Sequence, residues 1–167
     1  MEAILFLDVS SITDWRSATK TRPIVAKHVT ALTTDQRLLS QLLIGTLEGR
    51  EPIDAHNVIC VGEHGDAWQS TPKKLLAKYS ISSIDQDGWL VCDPKPDNAV
   101  DCFEVTSDHI DGDQFYVVGL WGETLPDGTK NVQTGLRGDI VCRSQTDQSD
   151  IWIVRRKLFN STYEIRG

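Results

Sequence analysis

The chain has 167 residues, 40% of them hydrophobic and 25% charged, with a formal charge of −7 at neutral pH. This composition argues against a disordered chain, and the acidic balance disfavours non-specific binding that runs on phosphate neutralisation by Lys and Arg; the one basic run, Arg155 to Lys157, reads as a solvated face, so no nucleic-acid partner is expected. No stretch approaches the roughly 18 apolar residues of a membrane span and the start lacks a basic signal region; no membrane partner and a cytoplasmic location are expected.

In chain order, "AILFLDV" (3–9) reads as one apolar strand, and "RPIVAKHVT" (22–30) as a second, alternating one rich in β-branched residues. "TTDQRLLSQLLIG" (33–45) predicts a helix: Thr34 or Asp35 caps it, Leu38, Leu39, Leu42 and Leu43 share a face, and Gly45 stops it. "NVICVG" (57–62), the turn "EHGD" and Trp68 predict a hairpin. "STPKKLLAKY" (70–79) predicts a short helix with Ser70 or Thr71 as cap and Pro72 in the first helical position. "DGWLVC" (87–92), "AVDCFEVT" (99–106) and "DQFYVVGLWG" (113–122) read as strands. The last of these precedes a long loop, "TLPDGTKNVQTGLRG".

The end of the chain echoes its middle. Cys60 aligns with Cys142, and from Trp68 with Trp152 onward the spacing is constant: Leu75 with Phe159, Tyr79 with Tyr163, Ile81 with Ile165. The expectation is an α+β fold of two tandem diverged strand–strand–helix repeats. Residues 1–84 would hold the N-terminal strand and the first repeat, and residues 85–167 the second with longer loops. The two would pack about a pseudo-twofold axis into one compact body, since about 80 residues with one apolar face are marginal alone.

The end of each repeat resembles the PGDYG type of small bacterial and phage proteins. "RGDIVC" carries Gly138, Asp139, Ile140 and Val141, "DIWIV" carries Trp152, and "FNSTYE" carries Phe159, Tyr163 and Glu164. The first repeat keeps less, in "NVICVGEHGDAW" and "LLAKY"; Arg137 stands where that family has Pro, and no aromatic follows Asp139. The resemblance implies a bacterial or phage setting and carries no activity with it.

The densest polar cluster is Asp54, His56, Cys60, Glu63, His64 and Asp66. A Cys–His pair there would make an activated nucleophile for a small hydrolase or transferase, the alternative reading. On a strand, Cys60 is instead a buried small hydrophobe, expected to be inert. The same residues include metal-ligand types, but His56 and His64 flank a strand and read as loop residues, so no metal is expected. "DQDGW" and "DHIDGD" have the composition of calcium loops without the ligand order, and turn chemistry accounts for them. The four cysteines form no C-x-x-C, and no nucleotide fingerprint, G-x-S-x-G or H-E-x-x-H occurs, so no cofactor is expected.

What remains is a non-enzymatic binding or interaction module that recognises a protein partner or a small ligand through the second repeat's loops or an inter-repeat cleft. Its candidate binding residues are Trp121 as an aromatic anchor, Arg137 as a bidentate donor, Asp127 in its Pro-Asp-Gly turn, the matched Trp68 and Trp152, and His64. A phage accessory or assembly protein is a further alternative.

Overall fold

The computed structural model describes residues 6–36, 38 and 53–166. Among these residues, twelve strands in three sheets carry the architecture, two of five strands and one of two. The helices whose every residue is described are α1 (Pro72–Lys78), α2 (Arg156–Thr162) and two three-residue 3-10 turns. The helix expected at 33–45 lies largely outside the described residues; Thr34–Gln36 are helical.

The described residues divide into two units. One holds residues 20–36, 38 and 53–98. Its sheet is antiparallel, in the order β4 (Ala67–Ser70), β3 (Val58–Gly62), β2 (Ile24–His28), β6 (Leu90–Pro94), β5 (Tyr79–Ile84). Alternation sends Ile24, Ala26, Val58, Cys60 and Cys92 to one face, where Leu75 of α1, Tyr79, Trp68 and Leu90 pack on them. The opposite face collects Val29, Leu32 and Ile59 with Val61, Ala67 and Trp89. Helix α1 starts where Pro72 and the Thr71 cap predict, with the Thr71 hydroxyl accepting from the Lys74 N–H at 3.2 Å. It ends after seven residues because Tyr79 turns extended (φ −133°) and runs directly into β5.

The other unit holds residues 6–19 and 99–166. Its five-stranded sheet runs β11 (Ile151–Val154), β10 (Ile140–Ser144), β7 (Ala99–Glu104), β1 (Arg16–Lys20), β12 (Tyr163–Arg166). One face is covered by α2, whose Phe159 packs with Ala18, Val100, Cys102, Ile140, Cys142 and Val154. The other face carries Phe103, Val105, Val141, Ile151 and Ile153 against Phe115 and Val117. Those two belong to a long hairpin, β8 (Gln114–Glu123) with β9 (Val132–Leu136). The hairpin lies close: a Cβ on Gly119 would sit 2.4 Å from the Ile151 carbonyl oxygen.

The α+β expectation is therefore corrected to mostly β. The helical stretches after Ser70 and Val154 are two turns each, inserted between a hairpin and an edge strand, and build no layer of their own. Nor are tandem strand–strand–helix repeats the working unit. Each five-stranded sheet takes in strands beyond that pattern, β5 and β6 in one and β1 and β12 in the other, and the β8–β9 hairpin has no counterpart in the unit of residues 20–98 among the described residues. The paired positions themselves are local: Cys60 faces Trp68 across β3 and β4, and Cys142 faces Trp152 across β10 and β11.

Candidate ligand cleft

A cleft of about 470 Å³ opens in the second unit, between the segment Phe6–Asp14 and the turn carrying Asp108 and His109. Phe6 bridges to Tyr116 as a parallel strand residue, and the Leu7 N–H donates to the Tyr116 carbonyl at 2.8 Å. Asp8 then caps the turn Val9–Ser11, its carboxylate accepting from the Ser10 N–H (3.1 Å) and hydroxyl (2.6 Å). Leu7, Val9, Ile12 and Trp15 face the Phe103–Val117 core, so Ser11, Thr13 and Asp14 are left facing the opening.

The far wall is a local lock. The His109 N–H donates to the Thr106 carbonyl (3.0 Å), the Asp108 N–H to the Thr106 hydroxyl (3.2 Å), and the Thr106 N–H to Nδ1 of His109 (3.0 Å). The ring packs against Phe103 at 5.2 Å between centroids. An Nδ1 that accepts from a backbone N–H carries no proton, so the neutral imidazole is the Nε2–H tautomer. Nε2 lies 3.9 Å from the Asp14 carboxylate, too far for a direct hydrogen bond. The cleft thus combines a fixed N–H donor, the Asp14 and Asp108 carboxylates, two hydroxyls and an apolar wall of Phe6, Leu7 and Ile12.

Cys60 is fully buried in mid-strand on β3. His56 precedes that five-residue strand and His64 follows it, both exposed, so the strand sets them about 16 Å or more apart. Glu63 is tied to Arg22 at 2.8 Å. Asp66 folds over Gly62, where a Cβ would meet its Oδ1 at 2.3 Å. The structure does not bring these residues together as nucleophile and base.

The hairpin separates the other expected residues. Trp121, half-buried, and Asp127, fully exposed, lie toward the tip of β8–β9, whereas Arg137 follows β9 at its base. Asp127 accepts from the Thr129 N–H (2.9 Å), and the bonds from the Thr129 backbone and hydroxyl hold its carboxyl below the ordinary range. Arg137 is exposed and paired with Asp113 at 2.6 Å. Trp68 is half-buried under Lys20, whose Nζ lies 4.2 Å from the ring centroid. Trp152 packs beside the Cys142 core cluster. Gly138 (φ 97°) and Asp139 form a turn and bulge, with the Asp139 carboxylate accepting from the Leu136 N–H (2.9 Å) and from Arg155.

Among the described residues no three His, Cys, Asp or Glu side chains gather as a metal would need. No helix among them is long and apolar enough to cross a membrane. No protein-family model matches the chain, and no curated protein or solved structure gives a significant match. His109 escapes a sequence reading because its partners Phe6–Asp14 lie far away in the chain; the local signal is the string "TSDH", in which a Thr three residues ahead can lock an imidazole.

Proposed function

We propose that the protein is a binding module whose ligand is a small, positively charged molecule with an apolar body, seated in the cleft between Phe6–Asp14 and His109. The observation that carries this reading is the cleft itself. Its volume of about 470 Å³ suits a small organic ligand, and its wall is chiefly polar, with Asp14, Asp108 and His109 set beside the apolar Phe6, Leu7 and Ile12. The carboxylates of Asp14 and Asp108 favour an ammonium or guanidinium group, Nε2–H of His109 offers a donor to a ligand oxygen, and Phe6 and Ile12 meet methylenes or a ring. The 3.9 Å between Nε2 and Asp14 is a span that one bridging ligand atom closes.

The test is a 1H–15N titration with tyramine, spermidine and benzoate. The two amines should shift the amides of Leu7–Asp14 and Thr106–Ile110 with saturation, Asp14→Asn should weaken this at least fivefold, and benzoate should do nothing. Amine shifts confined to the hairpin tip around Trp121 and Asp127 would move the ligand site there, and equal response to benzoate would end the cationic reading.

A further inference from the structure

We propose that Cys102 and Cys142 are a cross-strand dithiol, built to close into a cystine that staples β7 to β10. The register pairs them directly, Cys142 opposite Cys102. Hydrogen-bond parity says which kind of pair it is. The Val105 N–H donates to the Asp139 carbonyl at 3.0 Å. Counting along the antiparallel ladder from that bond, Phe103–Val141 is a hydrogen-bonded pair and Cys102–Cys142 a non-hydrogen-bonded one. Non-hydrogen-bonded partners bring their Cα atoms to about 4.5 Å and their side chains closest together. That falls within the roughly 4.4–6.8 Å that a disulfide spans without backbone movement.

Both side chains lie on one face, in the cluster with Ala18, Val100, Ile140, Val154 and Phe159. The register sets other residue types opposite the remaining two cysteines. Cys60 is flanked by Ala26 and Trp68, and Cys92 by Ile24 and Ile81. All four are present as thiols. Burial pushes the Cys102 thiol up, against the favourable charge of Arg16 opposite it on β1, so the staple closes slowly in the folded protein and only with a small oxidant.

Hydrogen peroxide is such an oxidant. One thiolate attacks a peroxide oxygen and breaks the O–O bond, giving a sulfenic acid and hydroxide, which takes up the released proton as water. The second thiol's sulfur then attacks the sulfenic sulfur, forming S–S and releasing a second water. Two thiols are oxidised by two electrons and one peroxide is reduced to two waters. The closed loop contains the β8–β9 hairpin and the Thr106–Ile110 turn, so the staple restrains the chain from β7 through the hairpin to β10 in the unfolded state. A cystine closing a loop of this length in relaxed geometry should raise the Tm by about 10 °C.

The experiment treats the full chain with hydrogen peroxide, alkylates it under denaturing conditions and maps the peptides by mass. The expected product has lost two hydrogens, yields a peptide pair joined through Cys102 and Cys142, melts higher, and reverts with dithiothreitol. A variant carrying both Cys60→Ala and Cys92→Ala should behave alike, and Cys142→Ala should not. Alkylation of both residues after oxidation, sulfinic acid in place of the crosslink, a bond to Cys60 or Cys92, or a crosslinked protein that melts lower would each overturn the proposal.

Discussion

The side-chain oxygen of Gln133 accepts the backbone N–H of Ile153 at 3.0 Å, from a residue that is itself almost fully buried on β9. The same amide donates to the carbonyls of Trp121 (3.0 Å) and Ile151 (3.3 Å). Strand β11 is the edge of its sheet, and the Ser144 N–H bond to the Asp150 carbonyl sets a parity in which Ile151 and Ile153 aim their backbone groups away from β10. One glutamine amide therefore stands in for a missing strand, satisfying an edge that would otherwise be buried and unpaired. Gln133→Leu keeps the bulk and loses all three bonds, so it should cost about 3 kcal/mol in urea unfolding, with an unchanged m value. Gln133→Glu should cost as much or more, since it also buries a charge. A midpoint within error of wild type for both would mean the hairpin is not held through this amide.

Strands β2, β3, β7 and β10 lie where runs such as "IVAKH" and "IVCRS" predict them, because burial there imposes alternation or a continuous apolar run. Helix α1 begins at Pro72 for the same legible reason, a cap followed by the one residue that lacks an N–H. Strand β1, "RSATK", buries only Ala18 and carries no pattern to read. Strand β5, "YSISSI", buries only Tyr79 and is exposed beyond it. Overlooking polar strands such as these, β1 inside its sheet and β5 at the edge of the other, is what tilts the balance toward α+β. Gln133 and Gln69 are buried polar residues whose partners, Ile153 in one case and Asp54 and Asn57 in the other, come from other segments of their units. No local pattern announces them.

The lock on His109 makes a spectroscopic prediction. At pH 8 the long-range 1H–15N spectrum should show Nδ1 unprotonated and Nε2 bearing the hydrogen, because the Thr106 N–H occupies Nδ1 at 3.0 Å. His109→Ala leaves that N–H without its acceptor in a partly buried turn and should cost about 1 kcal/mol. A spectrum of the Nδ1–H form would show that the turn does not hold, and the donor assigned to the cleft would be lost with it.

Tyr79 makes the chain sensitive to alkali. Burial drives its phenol far above the ordinary tyrosine range, with further contributions from Cys60, Cys92 and Asp66, against a hydrogen bond from Asn98 that pulls it down. A folded-state pKa raised above the unfolded value stabilises the protein fully below about pH 10, and that stability is lost as pH climbs above it. Phenolate absorbance should accordingly show one tyrosine that ionises only together with loss of the near-UV circular dichroism signal. Tyr79→Phe should abolish that coupled step while lowering stability at pH 7 through the lost Asn98 bond. A Tyr79 that titrates with the others in the folded protein would contradict the burial.

Arg143 is set up differently from the other arginines that pair with acids. Its guanidinium lies 4.0 Å over the Trp15 ring, which meets Phe103 edge-on at 4.8 Å, and its Nη2 donates to Asp101 at 3.1 Å. Register supplies the geometry, since Arg143, Asp101 and Ser17 are direct partners across β10, β7 and β1, and Gln145 spans Asp101 and Ser17 from the side. Both side chains of the pair are largely shielded, at 17% and 26% exposure, whereas Arg137 and Asp113 stand at 45% and 85%. Solvent screens the second pair and barely the first. A double-mutant cycle on Arg143 and Asp101 should return about 1–2 kcal/mol of coupling that persists in 0.5 M salt. The same cycle on Arg137 and Asp113 should return under about 0.5 kcal/mol and vanish in salt. Arg143→Lys should recover little, because an ammonium cannot lie flat on the indole while donating to the Asp101 carboxylate. Full recovery by Lys, or equal salt sensitivity of the two pairs, would reduce Arg143 to an ordinary surface charge.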